Sequence, residues 1–260
     1  GHNALFVNTT GNYNVAVGGF ALDANTTASN NTAVGYDALT ANTTGASLTA
    51  VGANALDANT TGHNNTALGF NSLTANTTGT YNISIGANSM VTNTTGSNNV
   101  AMGQDALRLS TASNNTAIGF LALTANTTGH SNVAVGANAG DAITTGDANV
   151  AVGYVALSAT TTGDYNTAVG RGALAVNTTA SNNTGLGYAS LGANTTGTSN
   201  VAVGRSALEA NTTASNNTGL GYGALAANTE GTQNTAIGAY AGDAITTGSE
   251  NTTVGYASSG

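Results

Sequence analysis

The chain has 260 residues with 36 Gly, no Pro, no Cys, no Trp and only 5% charged residues, whereas about 25% of the residues in an ordinary soluble domain are charged. Three Lys and Arg residues against eleven Asp and Glu residues give a formal charge of −8, which argues against nucleic acid and anionic membranes as partners. The absence of Cys excludes disulfides and thiolate metal sites. No apolar run reaches the roughly 18 residues of a membrane span.

One repeat of 17 residues runs through the chain. A glycine closes a short apolar triplet in each copy, as in Ala33-Val34-Gly35 and Ala50-Val51-Gly52. We call these glycines the register glycines; they are Gly1, Gly18, Gly35, Gly52, Gly69, Gly86, Gly103, Gly119, Gly136, Gly153, Gly170, Gly187, Gly204, Gly221, Gly238 and Gly255. The interval from Gly103 to Gly119 is one residue short. The sequence therefore predicts a single repeat array over residues 1–260 and, because both ends cut through a repeat, a segment of a longer fibre.

Alternating side chains predict a strand before each register glycine. Thr32 and Val34 share one side of this strand, and Ala33 takes the other. A second apolar pair, Ala38-Leu39, predicts a second short strand in each copy. From this pattern we expect a core of stacked Val, Ile and Leu with Ala filling the gaps. The row of small residues would then permit close approach of another chain; its members include Ala16, Ala33, Ala50 and Ala67.

Polar segments supply the turns between these elements. Asn42-Thr43-Thr44-Gly45 predicts a corner, and Ser29-Asn30-Asn31 leads from the preceding corner into the next strand. Asn and Gly accept positive φ, and Asn, Ser and Thr side chains bond to local backbone. The abundance of Gly, Asn, Thr and Val disfavours helix. The predicted fold is an all-β parallel β-solenoid or β-roll of about fifteen coils of 17 residues.

The units resemble the head repeats of YadA-like trimeric autotransporter adhesins. The residues that carry the likeness are Asn14-Val15-Ala16-Val17-Gly18 and Asn132-Val133-Ala134-Val135-Gly136. The Asn-Thr-Ala-Val-Gly-Tyr units are also similar to those of repeat-rich tail-fibre-type proteins. The resemblance implies a left-handed roll, a homotrimer or longer filament, and a place on a cell or virion surface.

An Asn-Thr-Thr triplet recurs at the predicted corner and allows three interpretations. The asparagines could stack coil over coil, they could accept N-linked glycans, or the threonines could order water as an ice-binding array. Adjacent threonines in a strand would face opposite ways, which weakens the ice-binding interpretation. The candidate glycosylation sites are Asn8, Asn25, Asn42, Asn59, Asn76, Asn93, Asn126, Asn177, Asn194 and Asn211.

The residue after the register glycine is aromatic in about every second coil, which predicts a surface aromatic ladder. Between the aromatic residues the same position holds mostly Ala or Arg, such as Arg171 and Arg205. The alternation could serve packing, or it could provide a strip on which sugars stack. The members of the ladder are Tyr36, Phe70, Phe120, Tyr154, Tyr188, Tyr222 and Tyr256.

No constellation of catalytic or metal-ligating residues is visible in the sequence. The acidic residues are dispersed, and His2, His63 and His130 are scattered, so we predict neither an enzyme nor a bound cofactor or metal. The sequence predicts an extracellular or cell-surface structural fibre or adhesin segment that presents a repeated surface to a host surface or glycan. The alternative is a binding module for glycans or ice along a Tyr or Thr ladder.

Overall fold

The computed structural model describes residues 1–259, which form two compact units, Gly1–Ser131 and the residues from Asn132 onward. Every regular element in this part of the chain is a three-residue strand, and no helix occurs there. The first unit contains β1 (Val15–Val17), β2 (Thr32–Val34), β3 (Thr49–Val51), β4 (Thr66–Leu68), β5 (Ile83–Ile85), β6 (Val100–Met102) and β7 (Thr116–Ile118). The second contains β8 (Val133–Val135), β9 (Val150–Val152), β10 (Thr167–Val169), β11 (Thr184–Leu186), β12 (Val201–Val203), β13 (Thr218–Leu220), β14 (Thr235–Ile237) and β15 (Thr252–Val254).

Within each unit, every strand pairs in parallel with the strands one coil before and one coil after it. The register is one repeat, so that Ala33 lies opposite Ala50 and Val34 lies opposite Val51. The same register holds across the shortened coil, where Ala101 lies opposite Ala117. This ladder confirms the predicted parallel β-solenoid with coils of about 17 residues.

Each coil contributes one strand to the ladder, so the prediction of a second strand was wrong. Leu39 belongs to a turn that follows the register glycine, and its φ of 55° is left-handed. Asp37 in the same turn also has a positive φ, of 56°. A backbone that alternates into the left-handed region cannot form a pleated ladder. The second apolar pair of each repeat therefore marks a buried turn rather than a strand.

The register glycines are required by both backbone conformation and space. Gly52 has a φ of +135°, and a Cβ on it would lie 2.4 Å from the carbonyl oxygen of Gly69. Residues with a side chain rarely adopt this φ, and a Cβ so close to a carbonyl oxygen would force the neighbouring coil to shift. Glycine at this position lets consecutive coils stack at hydrogen-bonding distance, as the 2.8 Å bond from the Gly52 amide to the Val34 carbonyl shows.

The core contains the small strand residues and the turn leucines, which corrects the predicted core. Ala33 and Leu39 are fully buried, whereas Val17 on the strand is 56% exposed. The interior is narrow: a Cβ on Gly219, which stands at the alanine position, would lie 3.4 Å from Leu208 Cγ. Only Ala, Ser or Gly fits on the inner side of most strands, so the large β-branched residues point outward. The row of small residues is therefore closed off inside each coil and offers no approach to another chain.

Candidate functional site

In each unit the outward strand residues form an uncharged face, which we call the outer face; its first row is mostly Thr and Val, and its second row is entirely aliphatic or Met. It consists of the first and third residues of each strand, and Leu186 and Leu220, for example, are 43% and 44% exposed. The first row is Val15, Thr32, Thr49, Thr66, Ile83, Val100, Thr116, Val133, Val150, Thr167, Thr184, Val201, Thr218, Thr235 and Thr252. The second row is Val17, Val34, Val51, Leu68, Ile85, Met102, Ile118, Val135, Val152, Val169, Leu186, Val203, Leu220, Ile237 and Val254.

The outer face is uncharged although the chain has a net charge of −8. Neither of its rows contains a charged residue, and all eleven acidic residues lie at turns and corners. A protein seldom leaves a regular row of exposed aliphatic side chains, like the second row of this face, without a partner. The arrangement suits contact with another apolar surface and does not suit contact with a charged polymer.

The predicted aromatic ladder lies beside the outer face and is exposed. In the first unit, Tyr36 makes an edge-on contact with Phe20, with 5.9 Å between the ring centroids. All members are at least 40% exposed: Tyr36, Phe70, Phe120, Tyr154, Tyr188, Tyr222 and Tyr256. The structure thus places these rings on the surface.

In the second unit, arginines fill the gaps between the tyrosines. The Arg171 guanidinium lies over the rings of Tyr154 and Tyr188, 5.9 and 5.7 Å from their centroids. The Arg205 guanidinium lies 5.6 Å from the ring centroids of both Tyr188 and Tyr222. We call these five residues the Tyr–Arg row. Each contact has cation–π geometry, so the row is an ordered alternation of phenols and guanidinium groups.

The corner asparagines stack coil over coil in the interior, in what we call the corner ladder. Asn59 Nδ2 donates to Asn42 Oδ1 at 3.0 Å and to the Gly62 carbonyl at 3.1 Å. Asn59 Oδ1 accepts a 2.8 Å hydrogen bond from Asn76 Nδ2. Each amide thus bonds to its own corner and to both neighbouring coils. The stacking interpretation of the Asn-Thr-Thr motif describes this arrangement.

Burial of these amides bears directly on the glycosylation prediction. An N-linked glycan would be attached at Nδ2, the atom that donates inside the coil. Asn8 is half-buried, and its Nδ2 bonds to the Gly11 carbonyl at 3.0 Å. The other nine candidates are at most 1% exposed: Asn25, Asn42, Asn59, Asn76, Asn93, Asn126, Asn177, Asn194 and Asn211. The folded coil therefore has no room for a glycan at those nine positions.

The corner ladder ends where another residue type takes the asparagine position. Ser110 stands there in the shortened coil and donates to Asn126 Oδ1 at 2.9 Å, away from the preceding coil. The buried Oδ1 of Asn93 consequently has no partner among the described residues. Asn228 Oδ1 is in the same situation where Ile245 follows in the next coil. An unpaired buried carbonyl costs free energy, so these places are local weak points.

A second buried ladder was not singled out as a site from the sequence. It uses the asparagine that immediately precedes each strand, such as Asn82, whose backbone amide donates to Asn65 Oδ1 at 2.9 Å. Asn82 Nδ2 donates to the Gly96 carbonyl at 2.8 Å. The signal in the sequence was the second Asn of the Ser-Asn-Asn segments. The first Asn of each, such as Asn98 with φ 60°, is exposed and left-handed.

The corner threonines have unequal roles. Thr43 Oγ1 donates to the Thr60 carbonyl of the next coil at 3.1 Å, so its hydroxyl hydrogen is used within the solenoid. Thr44 is exposed. The doublet therefore gives one outward threonine per coil at this corner. That is a narrower array than two adjacent rows of threonine would provide.

Two titratable groups are shifted by their surroundings. Burial, and then the neighbouring Asp57 carboxylate, raise the pKa of Asp37. A hydrogen bond with Tyr222 is the largest cause that raises the pKa of Tyr240. Across residues 1–259, no three His, Cys, Asp or Glu side chains converge as metal ligands, and no cavity opens. That stretch also contains no helix of the length and apolarity needed to cross a bilayer.

The chain matches no protein-family model, no curated protein and no solved structure.

Proposed function

We propose that the chain is a structural segment of an extracellular fibre or adhesin, on a cell or virion surface, whose copies associate through the outer face. The observation that carries the proposal is the uncharged outer face, with its continuous aliphatic second row, of a chain with a net charge of −8. Association of identical faces buries that aliphatic row together with the Thr and Val side chains beside it, and places the acidic corners away from the contact. Burial of apolar area is the main favourable term in such association.

A second copy of the chain suits this face better than an unrelated partner. Both rows repeat with the coil spacing, about 4.8 Å between neighbouring strands, and a second copy presents its side chains at that same interval along the whole face. The proposed assembly is a homotrimer, a number that rests on the resemblance of the repeats to YadA-like heads. Filament formation by end-to-end stacking is compatible with the same side contact.

The proposed role is non-enzymatic and depends on the regular repetition of one surface along the chain. A repeated coil, stabilised by ladders of backbone and amide hydrogen bonds, displays the same surface many times. Multiple weak contacts to a host surface or glycan then gain strength through multivalency. Ice binding remains the alternative prediction, and the bonded hydroxyl of Thr43 gives it less support.

Paired glutamate substitutions test the association. Leu186→Glu with Leu220→Glu puts two charges on the outer face, and Thr196→Glu with Thr213→Glu puts two charges on an exposed corner that already holds Glu230. Sedimentation velocity should give three times the 25.1 kDa chain mass for the natural chain and for the corner variant. The outer-face variant should sediment as a monomer and keep its β-sheet circular dichroism. A monomeric natural chain, or an outer-face variant that still assembles, would contradict the proposal.

A further inference from the structure

The Tyr–Arg row contains two guanidinium groups that no acidic side chain neutralises. Among the described residues the one ion pair joins Arg108 to Asp105 at 3.6 Å. Arg171 and Arg205 are exposed and lie between tyrosine rings. In a chain of net charge −8, two unpaired cations on one row are the natural place for an external anion.

The tyrosines hold these guanidinium groups in a fixed orientation. Each guanidinium is sandwiched between the rings of two tyrosines at 5.6 to 5.9 Å. An arginine held in this way loses less conformational freedom when it binds a carboxylate. The phenolic hydroxyls can supply further hydrogen bonds beside it.

The Tyr–Arg row exposes the edges of its tyrosine rings rather than their faces. Both faces of Tyr188 are covered, one by Arg171 and the other by Arg205. A nucleic-acid base or a sugar therefore cannot stack on that ring, which removes the contact on which single-stranded nucleic acids depend. The accessible chemistry is a line of N–H and O–H groups.

The spacing of the arginines indicates the form of the ligand. They stand two coils apart, which corresponds to about 10 Å at the ordinary strand separation. A ligand that meets both needs one negative charge at that interval, with hydrogen-bonding groups between the charges. A linear polysaccharide with one carboxylate in each disaccharide meets this requirement, whereas a polyphosphate carries more charges than two arginines at this interval can pair.

We propose that the Tyr–Arg row binds a linear polysaccharide carrying carboxylates, which lies along the row and accepts charge-assisted hydrogen bonds from Arg171 and Arg205. The site is independent of the proposed association, because the Tyr–Arg row lies outside the two rows of the outer face. Carboxylate and guanidinium form paired parallel hydrogen bonds, and this geometry favours a carboxylate over a diffuse charge.

The test measures binding of the whole chain to immobilised, partly methyl-esterified polygalacturonate, with dextran, dextran sulfate and single-stranded DNA as comparison surfaces. The chain should bind the polygalacturonate and not dextran, and added salt should weaken binding. Arg171→Gln and Arg205→Gln should each weaken binding about tenfold, and Arg108→Gln should leave it unchanged. Arg171→Lys should bind less tightly than the natural chain, because lysine keeps the charge and loses the paired geometry.

Four outcomes would overturn the proposal. The first is no binding to polygalacturonate at low salt. The second is binding that Arg171→Gln and Arg108→Gln weaken equally, since that shows a general charge effect. The third is tighter binding to dextran sulfate or DNA than to polygalacturonate. The fourth is dissociation of Arg171→Gln into monomers, which sedimentation of each variant detects and which would place the row in the chain's own interface.

Discussion

Asn59 donates its side-chain amide to Asn42 Oδ1 at 3.0 Å, one coil away, and both residues are fully buried. The two polar amides lie inside a narrow coil, and this contact supplies each of them with a hydrogen-bond partner there. Each such residue links three consecutive coils, so the ladder fixes the stacking register as well as adding stability.

Replacement of a ladder asparagine by aspartate should destabilise the fold strongly. Asn59→Asp loses the donor to Asn42 and to the Gly62 carbonyl and buries a negative charge, so the free energy of unfolding at pH 7 should fall by about 3 kcal/mol or more. Asn64→Asp makes the same chemical change at an exposed corner residue and should have little effect. Urea denaturation of both variants measures the difference, and equal effects would contradict the ladder's role.

The register glycines should tolerate alanine far less than the corner glycines do. Gly52→Ala meets the Gly69 carbonyl at 2.4 Å and needs a φ of +135°, so we expect a loss of about 3 kcal/mol. Gly62→Ala also starts from a close contact, 2.4 Å to the Gly79 carbonyl. However, Ala28, Ala180 and Ala214 occupy the equivalent place in other coils, and the cost should be about 1 kcal/mol or less. Thermal denaturation of the two variants ranks them, and the reverse order would be inconsistent with this account.

Alanine substitution of one core leucine and one outer-face leucine should have different effects on stability. Leu73 is fully buried and Leu68 is 36% exposed. Leu73→Ala should lower the free energy of unfolding by about 3 kcal/mol at any protein concentration, because it leaves a cavity. Leu68→Ala should cost less than about 1 kcal/mol in the monomer, and its effect should grow with concentration as the outer face becomes buried in the assembly. Denaturation series at several concentrations check both expectations, and a large, concentration-independent effect at Leu68 would show that the outer face had been misassigned.

Neutralising Asp37 should stabilise the fold in a pH-dependent way. The pKa of Asp37 is raised above its ordinary value of 3.8, so the folded chain holds the proton more tightly than the unfolded chain does. Ionisation of Asp37 therefore destabilises the fold, and stability is lost as pH rises through the folded-state pKa. Asp37→Asn should raise the melting temperature slightly at pH 7, and the part due to charge should disappear below pH 3.8. A gain that is the same at both pH values would point to backbone preference alone.

Much of the fold follows from the sequence because each coil repeats the same local requirements. The 17-residue period, the strand before each register glycine and the Asn-Thr-Thr corner all have recognisable chemistry. Which side of the strand faces the core was predicted wrongly, because neither of the two alternating sets of strand residues is charged. Hydrophobicity favours Val34 inside, whereas the narrow interior admits only Ala33. Alternation reveals two faces, and the room left by Leu39 and its neighbours decides which of them is buried.

The candidate site was predictable in part. The aromatic ladder and the arginines within it are visible as a two-coil alternation, but the sandwich of Arg171 between Tyr154 and Tyr188 depends on the direction of the side chains. The buried asparagine ladders were harder to predict, because burial of an amide is favourable only when the next coil supplies a partner. That partner lies 17 residues away and becomes a neighbour only in the folded solenoid.

Thiol labelling of two single-cysteine variants tests the central claim most directly, since the natural chain contains no cysteine. Leu186→Cys places the thiol on the outer face, and Thr196→Cys places it on an exposed corner. In the assembled protein the outer-face thiol should react much more slowly than in the diluted monomer, whereas the corner thiol should react at the same rate in both. Equal, fast labelling of both thiols in the assembled protein would show that the copies do not meet through the outer face and would contradict the account.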